Sequence, residues 1–231
     1  TVSTAKISAN AVTAAKFNAD VISGQTALAS EPADTDEFLV SDAGVLKRID
    51  YSLIKGGSSH KTLLLTTTLS NTANITVNNT YITSAYRDYY FTLSNVHAVS
   101  DAVDFSLRIS KDNGSNFVTD ADYNRLAYGR DSEDTLNKSA SDSGTDIQLS
   151  TATLGNATSE HFNSEGYIFN PLGTDNFTTF TGRSAYSKTD TRLMTNLWSG
   201  SFKEVAAVNA FKLFLSSGNM ASGVFKFYGI T

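Results

Sequence analysis

Short segments in which apolar and polar residues alternate recur along most of the chain. In one of them, Phe105, Leu107 and Ile109 alternate with polar or charged residues, the two-residue period of a half-buried strand. Turn residues separate the strand candidates, which are Lys61–Leu69, Asn74–Val77, Tyr86–Val96, Val103–Ser110, Asn116–Thr119, Ile147–Thr151, Gly166–Asn170, Phe177–Thr181, Arg192–Trp198, Ala210–Leu215 and Gly223–Tyr228. Many short antiparallel strands favour two sheets packed face to face. The chain is therefore predicted to be all-β, with a jelly-roll-like β-sandwich head at residues 58–231.

The composition agrees with an all-β chain and argues against several classes of function. The 231 residues include 14 Phe and 10 Tyr but no Cys, which excludes a disulfide framework, a thiolate metal site and a cysteine nucleophile. Three dispersed His leave little material for a zinc centre or a catalytic triad. A net charge of −5 argues against affinity for nucleic acid, and no apolar run suits a membrane-spanning helix. We expect no catalytic residue, no cofactor, no metal site and no membrane insertion.

The first 24 residues contain a ten-residue repeat with large apolar residues five positions apart: Val2, Ile7, Val12, Phe17 and Ile22. A spacing of five matches neither the 3.6-residue period of a helix nor the two-residue period of a strand. Because no single element can bury all five side chains, the repeat is expected to stack on copies from other chains. The alternative is an Ala/Thr-rich leader without fixed structure.

Residues 25–57 predict a β-hairpin followed by a domain boundary. Two short apolar runs, Glu37–Asp42 and Val45–Asp50, flank the turn dipeptide Ala43-Gly44. The Gly/Ser cluster at 56–59 is the best boundary in the chain, which predicts domains at 1–57 and 58–231. A lone hairpin is marginally stable in water, so its apolar side chains are expected to contact partner chains. These side chains are Phe38, Val40, Leu46 and Ile49.

One motif suggests chemistry, but we interpret it as a structural turn. The segment Ser110–Phe117 (SKDNGSNF) resembles the Asp-box of sialidases and related β-proteins. Its Asp can accept bonds from the backbone of its own turn while its Gly takes a positive φ.

Paired carboxylates could serve glycoside hydrolysis, but acidic residues in polar loops are usually only solvated. The pairs present are Asp101/Asp104, Glu133/Asp134 and Glu160/Glu165.

Binding is expected at the loops and at nearby aromatic side chains. The polar stretches Asp131–Gly144 and Gly155–Ser164 are predicted to be long loops, which commonly carry binding on a rigid sandwich. An aromatic ring can also stack on the apolar C–H face of a sugar. The candidate receptor-binding residues are therefore the aromatics beside predicted loops or strand ends: Tyr123, Tyr128, Tyr186 and Trp198. Packing within the core or at its rim is the alternative for each of them.

Three stretches resemble one class of proteins. Ala27–Ile54 (ALASEPADTDEFLVSDAGVLKRIDYSLI) resembles a module of tail-fibre and related appendage proteins of tailed bacteriophages, especially marine ones. The V-x-x-A-K-[IF] units at Val2–Ile7 and Val12–Phe17 are similar to the short repeats that precede this module. The ending Ser217–Ile230 (SGNMASGVFKFYGI) is similar to the terminal strand of many phage structural domains. The middle of the chain, 60–215, shares only its β character with the family.

The resemblance implies a homotrimer in which a stalk leads to a β-rich head. The five-spaced residues and the hairpin residues named above would then form trimerisation contacts, since three chains about one axis supply the missing partners. The implied protein belongs to the virion, contacts other tail or capsid proteins through its N-terminal segment, and attaches by its head to a glycan or protein of the host surface. The alternatives are a capsid-bound head fibre or decoration protein without receptor binding, and a glycan depolymerase.

Overall fold

The structure, a computed structural model, describes residues 16, 20–55 and 60–230, apart from the side chain of Val21. The chain divides into two units, Thr1–Gly57 and Ser58–Thr231. Four of the five regularly spaced apolar residues, Val2, Ile7, Val12 and Phe17, lie outside the described residues. The fifth, Ile22, lies in a single helical turn, α1 (Asp20–Ser23), and is exposed.

The first unit contains the predicted hairpin. Strands β1 (Glu37–Asp42) and β2 (Val45–Asp50) pair antiparallel, and a second helical turn follows, α2 (Tyr51–Ile54). The connection is Ala43-Gly44, with φ angles of 50° and 82°. Positive φ at both positions is typical of two-residue turns whose twist matches that of the strands. The turn chemistry of Ala43-Gly44 therefore sets the register of the hairpin.

The two faces of the hairpin differ in their apolar content. Phe38 lies opposite Ile49, and because every second residue shares a face, Val40 is on the same side. Leu39 and Leu46 are on the other side, so Leu46 does not share a surface with the other three predicted contact residues. None of the residues 20–55 whose burial is described is buried. The hairpin thus exposes apolar groups on both faces, with more of them on the Phe38 face.

The second unit consists of two antiparallel sheets. Its strands are β3 (Lys61–Thr72), β4 (Asn74–Val77), β5 (Asp88–Ala98), β6 (Phe105–Ser110), β7 (Tyr123–Asp131), β8 (Leu136–Gly144), β9 (Ile147–Gln148), β10 (Phe162–Phe169), β11 (Thr179–Ser187), β12 (Leu193–Phe202), β13 (Ala210–Leu215) and β14 (Met220–Ile230). The large sheet has eight strands in the order β3-β14-β5-β10-β11-β12-β7-β8, and the small sheet has four in the order β4-β13-β6-β9. Neighbouring strands pair antiparallel throughout.

Aromatic side chains from both sheets form one core between them. Phe105 of the small sheet stacks on Phe162 of the large sheet, with ring centroids 4.5 Å apart and planes 3° from parallel. Phe211 of the small sheet lies 6.1 Å from Phe91 and 5.6 Å from Phe227 of the large sheet. All five rings are fully buried. The all-β sandwich architecture is therefore confirmed for the described part of the second unit.

Glycines on the large sheet make room for the largest side chain of the core. Trp198 of β12 is 1% exposed, and its indole ring lies over Gly166 of β10 and Gly182 of β11. A Cβ added at Gly166 would lie 2.5 Å from the indole Cη2 atom, and one at Gly182 would overlap the same ring. Small residues beside a large one are how a close-packed interior fills its volume without strain.

The Asp-box segment forms the turn that its residue types predicted. Asp112 accepts hydrogen bonds from the Asn116 backbone at 2.8 Å and side chain at 2.7 Å, and the Gly114 N–H donates to Ser110 Oγ at 2.9 Å. Gly114 has φ of 85°, the left-handed conformation that favours glycine. The two bonds from Asn116, followed by one from the Ser110 hydroxyl at 2.7 Å, hold the pKa of the Asp112 carboxyl down to about 2. The segment is a structural turn.

Three sequence predictions about this unit are wrong. Asp131–Gly144 is not one long loop, because Leu136–Gly144 forms the edge strand β8 against β7. The candidate loop Gly155–Ser164 ends earlier, since β10 begins at Phe162. No strand forms at 116–119, where the chain leaves the Asp-box turn. The sequence does not predict β8 because this edge strand has polar residues on both of its faces, Ser and Asn on one and Lys and Asp on the other. It therefore lacks the apolar alternation of a half-buried strand.

We expect Gly182→Ala to destabilise the protein by about 1–3 kcal/mol, the usual cost of overpacking a filled core. The added methyl would displace the Trp198 ring and strain the sheet. Chemical denaturation of the full chain measures the change, with Ala185→Ser as the control on the outer face of the same strand. In a Trp198→Phe background the penalty of Gly182→Ala should shrink, because the smaller ring frees space. An unchanged unfolding midpoint for Gly182→Ala would contradict this account of the core.

Candidate functional site

Outward-pointing side chains form continuous rows across the large sheet. In one row Glu165, Arg183, Leu197 and Tyr128 are directly opposite one another on β10, β11, β12 and β7. The neighbouring row extends one strand further. It contains Asn163 on β10, Ala185 on β11, Thr195 on β12, Arg130 on β7 and Leu136 on β8. Directly opposite residues in antiparallel strands have Cβ atoms about 5 Å apart, so each row is a contiguous strip of surface.

The two rows line a groove of about 810 Å³ on the outer face of the sheet. The groove extends across β5, β10, β11, β12, β7 and β8. At about 4.8 Å between neighbouring strands, this corresponds to roughly 24 Å. A concavity of this volume, lined by apolar and a few polar groups, is typical of small-ligand sites. We call it the outer groove.

The outer groove has an apolar end and a polar end. Tyr128, Leu136 and Leu197 form the apolar end and are 50%, 58% and 51% exposed. The polar end contains hydrogen-bonding side chains of β5, β10 and β11: Thr92, Ser94, Asn163, Glu165 and Arg183. Thr195 and Arg130 lie on the same strands as Leu197 and Tyr128, two residues along, and Arg130 is directly opposite Leu136, so a hydroxyl and a guanidinium group border the apolar end. A complementary ligand must therefore combine an apolar part with several hydrogen-bonding groups.

A hydrogen-bonded cluster fixes Glu165 at the polar end. Its carboxylate accepts a bond from the Tyr90 hydroxyl and another from Arg183 Nε at 2.5 Å. The Lys61 ammonium lies 3.2 Å from the centroid of the Tyr90 ring and donates to the Tyr167 hydroxyl at 3.2 Å. The bond from Tyr90, followed by that from Arg183, holds the pKa of Glu165 below its ordinary value. Glu165 therefore presents an ionised acceptor in a fixed position.

Buried polar side chains stiffen the sheet beneath the outer groove. The Ser184 hydroxyl lies 2.8 Å from the Leu149 carbonyl oxygen and 3.0 Å from Ser164 Oγ, so its single proton is shared between these two acceptors. The indole N–H of Trp198 donates to the same Ser164 oxygen at 3.3 Å, and Asn196 donates to the Leu149 carbonyl at 3.1 Å. These bonds tie three strands of the large sheet to the segment after β9. The strands that carry the lining residues are therefore held rigidly by buried hydrogen bonds.

A buried carboxylate anchors the chain beside the apolar end. Asp131, at the end of β7, accepts bonds from Lys188 Nζ at 2.9 Å and from the backbone N–H groups of Glu133 and Thr135 at 3.1 and 3.0 Å. Its side chain is fully buried. The bond from Lys188, followed by the two backbone bonds, lowers the pKa of Asp131 to about 2. The Asp131 network thus joins the β7–β8 turn to the loop between β11 and β12.

Three of the four predicted receptor-binding aromatics lie in the core, so their assignment to an exposed binding surface is wrong. Tyr123, Tyr186 and Trp198 are at most 1% exposed. The Tyr123 hydroxyl accepts the Ile109 N–H at 3.0 Å, and burial raises the pKa of this hydroxyl to about 12. The Tyr186 hydroxyl accepts the N–H groups of Thr151 and Ala152. The physical reason is strand alternation, which places all three at inward positions.

Tyr128, the fourth candidate, lies at the apolar end of the outer groove. The residues that sequence reasoning missed are other members of the groove, above all Leu136, Leu197, Arg130 and Arg183, whereas Glu165 was named only as one acid of the pair Glu160/Glu165. Because successive side chains of a strand point to opposite faces, an inward Trp198 implies an outward Leu197, and this alternation is the signal that could have identified Leu197. The register between strands, which aligns Leu197 with Tyr128, is a long-range property that a single sequence does not display.

The described residues contain no group of three or more His, Asp or Glu side chains placed to hold a metal ion. Of the acidic pairs noted in the sequence, Glu165 lies in the outer groove, whereas Glu160 is buried in its own loop and accepts the Ala157 N–H at 2.7 Å.

Within the described part of the chain, no helix is long and apolar enough to cross a membrane. No protein-family model, curated protein or solved structure matches this chain.

We expect the stabilising contribution of Asp131 to disappear on acidification. Because its pKa is lowered from 3.8 to about 2 on folding, this contribution is complete above pH 3.8 and is lost as the pH falls toward 2. Asp131→Asn should be less stable than the native chain at pH 7, and the difference between the two should shrink between pH 4 and pH 2. Urea unfolding at several pH values measures this difference. Asp175→Asn, at an exposed position, is the control, and a constant gap between native chain and Asp131→Asn would contradict the assignment.

Proposed function

We propose that this chain is a structural virion protein, part of a trimeric bacteriophage fibre whose jelly-roll-like head attaches the particle to the host surface. The observation that carries the proposal is the outer groove, a preformed concavity on a sheet that buried hydrogen bonds hold rigid. The stretches Ala27–Ile54 and Ser217–Ile230, with their resemblance to phage appendage proteins, supply the biological context. Attachment needs a stable recognition surface and no catalytic group.

The outer groove supports attachment over glycan depolymerisation. Glycoside hydrolysis requires two carboxyl groups flanking the scissile bond. Among the described residues that line the groove, Glu165 is the only carboxylate. The hydrogen bonds that lower its pKa also make it a poor proton donor near neutral pH. The groove is suited to holding a ligand and not to cleaving it.

The first unit supports the trimeric part of the proposal. A two-stranded hairpin alone is marginally stable, and the residues of this one whose burial is described are exposed or half-buried. Three copies about one axis would cover the hairpin faces by cyclic symmetry. Three heads on one fibre would then convert weak single-site binding into durable attachment through effective concentration. The N-terminal segment would also contact other virion proteins.

The Phe38 face is the better candidate for the contact between copies. Phe38, Val40 and Ile49 share this face, and the Phe38 ring lies 6.1 Å from that of Tyr51. The opposite face offers Leu39 and Leu46, each directly opposite a polar or charged residue, Arg48 and Ser41. Although Val40 is directly opposite Lys47, Phe38 and Ile49 form an apolar pair across the two strands, and adjacent apolar residues bury more area together than two separated leucines.

The full chain should sediment as three copies, and Phe38→Asp should shift it toward monomer at micromolar concentration. Leu39→Asp is the matched control, since it introduces the same charge on the opposite face of the same strand. Mass photometry of the three proteins tests the prediction. A monomeric native chain would refute the trimer, and an equal effect of both variants would refute the choice of face.

Binding of the full chain to cells of the host bacterium should be saturable and should compete with infection. Leu197→Asp should lower the number of bound molecules at a fixed concentration by at least about tenfold, because it places a charge in the apolar end of the outer groove. Leu63→Asp is the matched control, since Leu63 is equally exposed, at 51%, on β3 of the same sheet and does not line the groove. Absence of cell binding by the native chain would favour a decoration protein.

A further inference from the structure

The lining of the outer groove restricts the kind of molecule that it can bind. Its floor is the face of a sheet whose inner strands, β10, β11, β12 and β7, are hydrogen-bonded on both edges. A peptide strand would therefore find no free backbone groups for strand addition there. Recognition on the face of these inner strands must proceed through side chains, although the outer edge of β8, which carries Leu136 at the end of the groove, is not paired with another strand of the sheet.

The polar end favours a ligand rich in hydroxyl groups. Glu165 is a fixed acceptor, Arg183 and Asn163 carry donor groups, and the Thr92 hydroxyl both donates and accepts. A sugar hydroxyl also donates and accepts, so neighbouring hydroxyls can pair with both kinds of group. Arg183 Nε is already bonded to Glu165, which orients the remaining guanidinium N–H groups beside the carboxylate.

The apolar end requires methyl or ring C–H groups in the same ligand. The exposed Tyr128 ring can lie against the C–H face of a pyranose. The side chains of Leu136 and Leu197 offer no hydrogen bond, so a hydroxyl placed against them would be desolvated without compensation. A methyl substituent avoids this cost.

The charge of the lining narrows the choice of substituent. Two guanidinium groups, Arg130 and Arg183, lie in the groove with one carboxylate, Glu165, and each is already paired: Arg183 with Glu165, and Arg130 with Asp134 at 2.9 Å. Because Glu165 is already paired with Arg183, the described lining offers no unpaired carboxylate to the ammonium group of a free amino sugar, which would lose hydration without compensation. An acetamido group is uncharged, carries a methyl group and offers an amide N–H and C=O for hydrogen bonding.

We propose that the outer groove binds an oligosaccharide carrying acetamido groups, with a sugar ring on Tyr128 and an acetamido methyl against Leu197, which is directly opposite Tyr128. This inference rests on the proposed attachment function and adds the class of ligand. The hydroxyl groups of the neighbouring sugars would reach Glu165, Arg183 and Asn163 at the polar end.

Three soluble oligosaccharides that differ at one position of the sugar ring test the assignment. They are a β-1,4-linked oligomer of N-acetylglucosamine, its de-N-acetylated form and the corresponding oligomer of glucose. In calorimetric titrations of the full chain, the acetylated oligomer should bind most tightly. The glucose oligomer should bind about fourfold more weakly or worse, the factor expected for one buried methyl-sized group, and the cationic oligomer more weakly still. Saturation-transfer NMR should show the strongest signal on the acetamido methyl protons.

Variants of the full chain locate the site. Tyr128→Ala and Leu197→Asp should each weaken binding of the acetylated oligomer at least about tenfold, whereas Leu63→Asp should leave it unchanged. Mass photometry should find the oligomeric state of Leu197→Asp unchanged. A change in that state would overturn the proposal by showing that the groove is a contact between copies of this chain.

The remaining outcomes separate the ligand class from the attachment function. Equal binding of the acetylated and glucose oligomers would overturn the acetamido assignment. Binding that persists in both Tyr128→Ala and Leu197→Asp would overturn the location. Failure of all three oligosaccharides to bind, together with reduced cell binding of Leu197→Asp, would overturn the saccharide class while leaving attachment through the groove intact.

Discussion

The packing of Trp198 against Gly166 and Gly182 is the contact on which both faces of the large sheet depend. Because side chains alternate along a strand, the burial of Trp198 forces its neighbour Leu197 to the outer face. A slip of one residue in β12 would exchange the two faces, putting the indole in solvent and a leucine against the glycines. The core contact therefore fixes which residues line the outer groove.

Buried hydrogen bonds on the inner face of the large sheet also make the strands beneath the outer groove rigid. Ser164, beneath the polar end, receives the indole N–H of Trp198 and the hydroxyl of Ser184, while the Asp131 network anchors the chain beside the apolar end. A site whose side chains are already held in place loses less conformational entropy when a ligand binds. The outer groove can therefore achieve useful affinity from a modest number of contacts, and three copies in the proposed fibre would multiply it.

The strength of the apolar alternation decides how much of this arrangement the sequence predicts. The strands Asn74–Val77 and Ala210–Leu215 have the predicted bounds, because inward residues such as Leu213 and Val77 are large and the turns beside them contain Asn, Gly or Ser. β7 and β8 were missed, since β8 is a polar edge strand and Tyr123, the first residue of β7, was placed beside a predicted loop or strand end. Both strands contribute to the groove, so the site was less predictable than the fold.

The two units bury their apolar residues to very different extents. The second unit buries aromatic side chains from both of its sheets in a core made of its own residues. In the first unit, the turn at Ala43 and Gly44 and the pairing of β1 with β2 are well defined, yet Phe38, Leu39 and Leu46 remain exposed. Local turn chemistry can specify a hairpin, but only burial can stabilise it. This division agrees with the proposed fibre, in which assembly would depend on the first unit and recognition on the second.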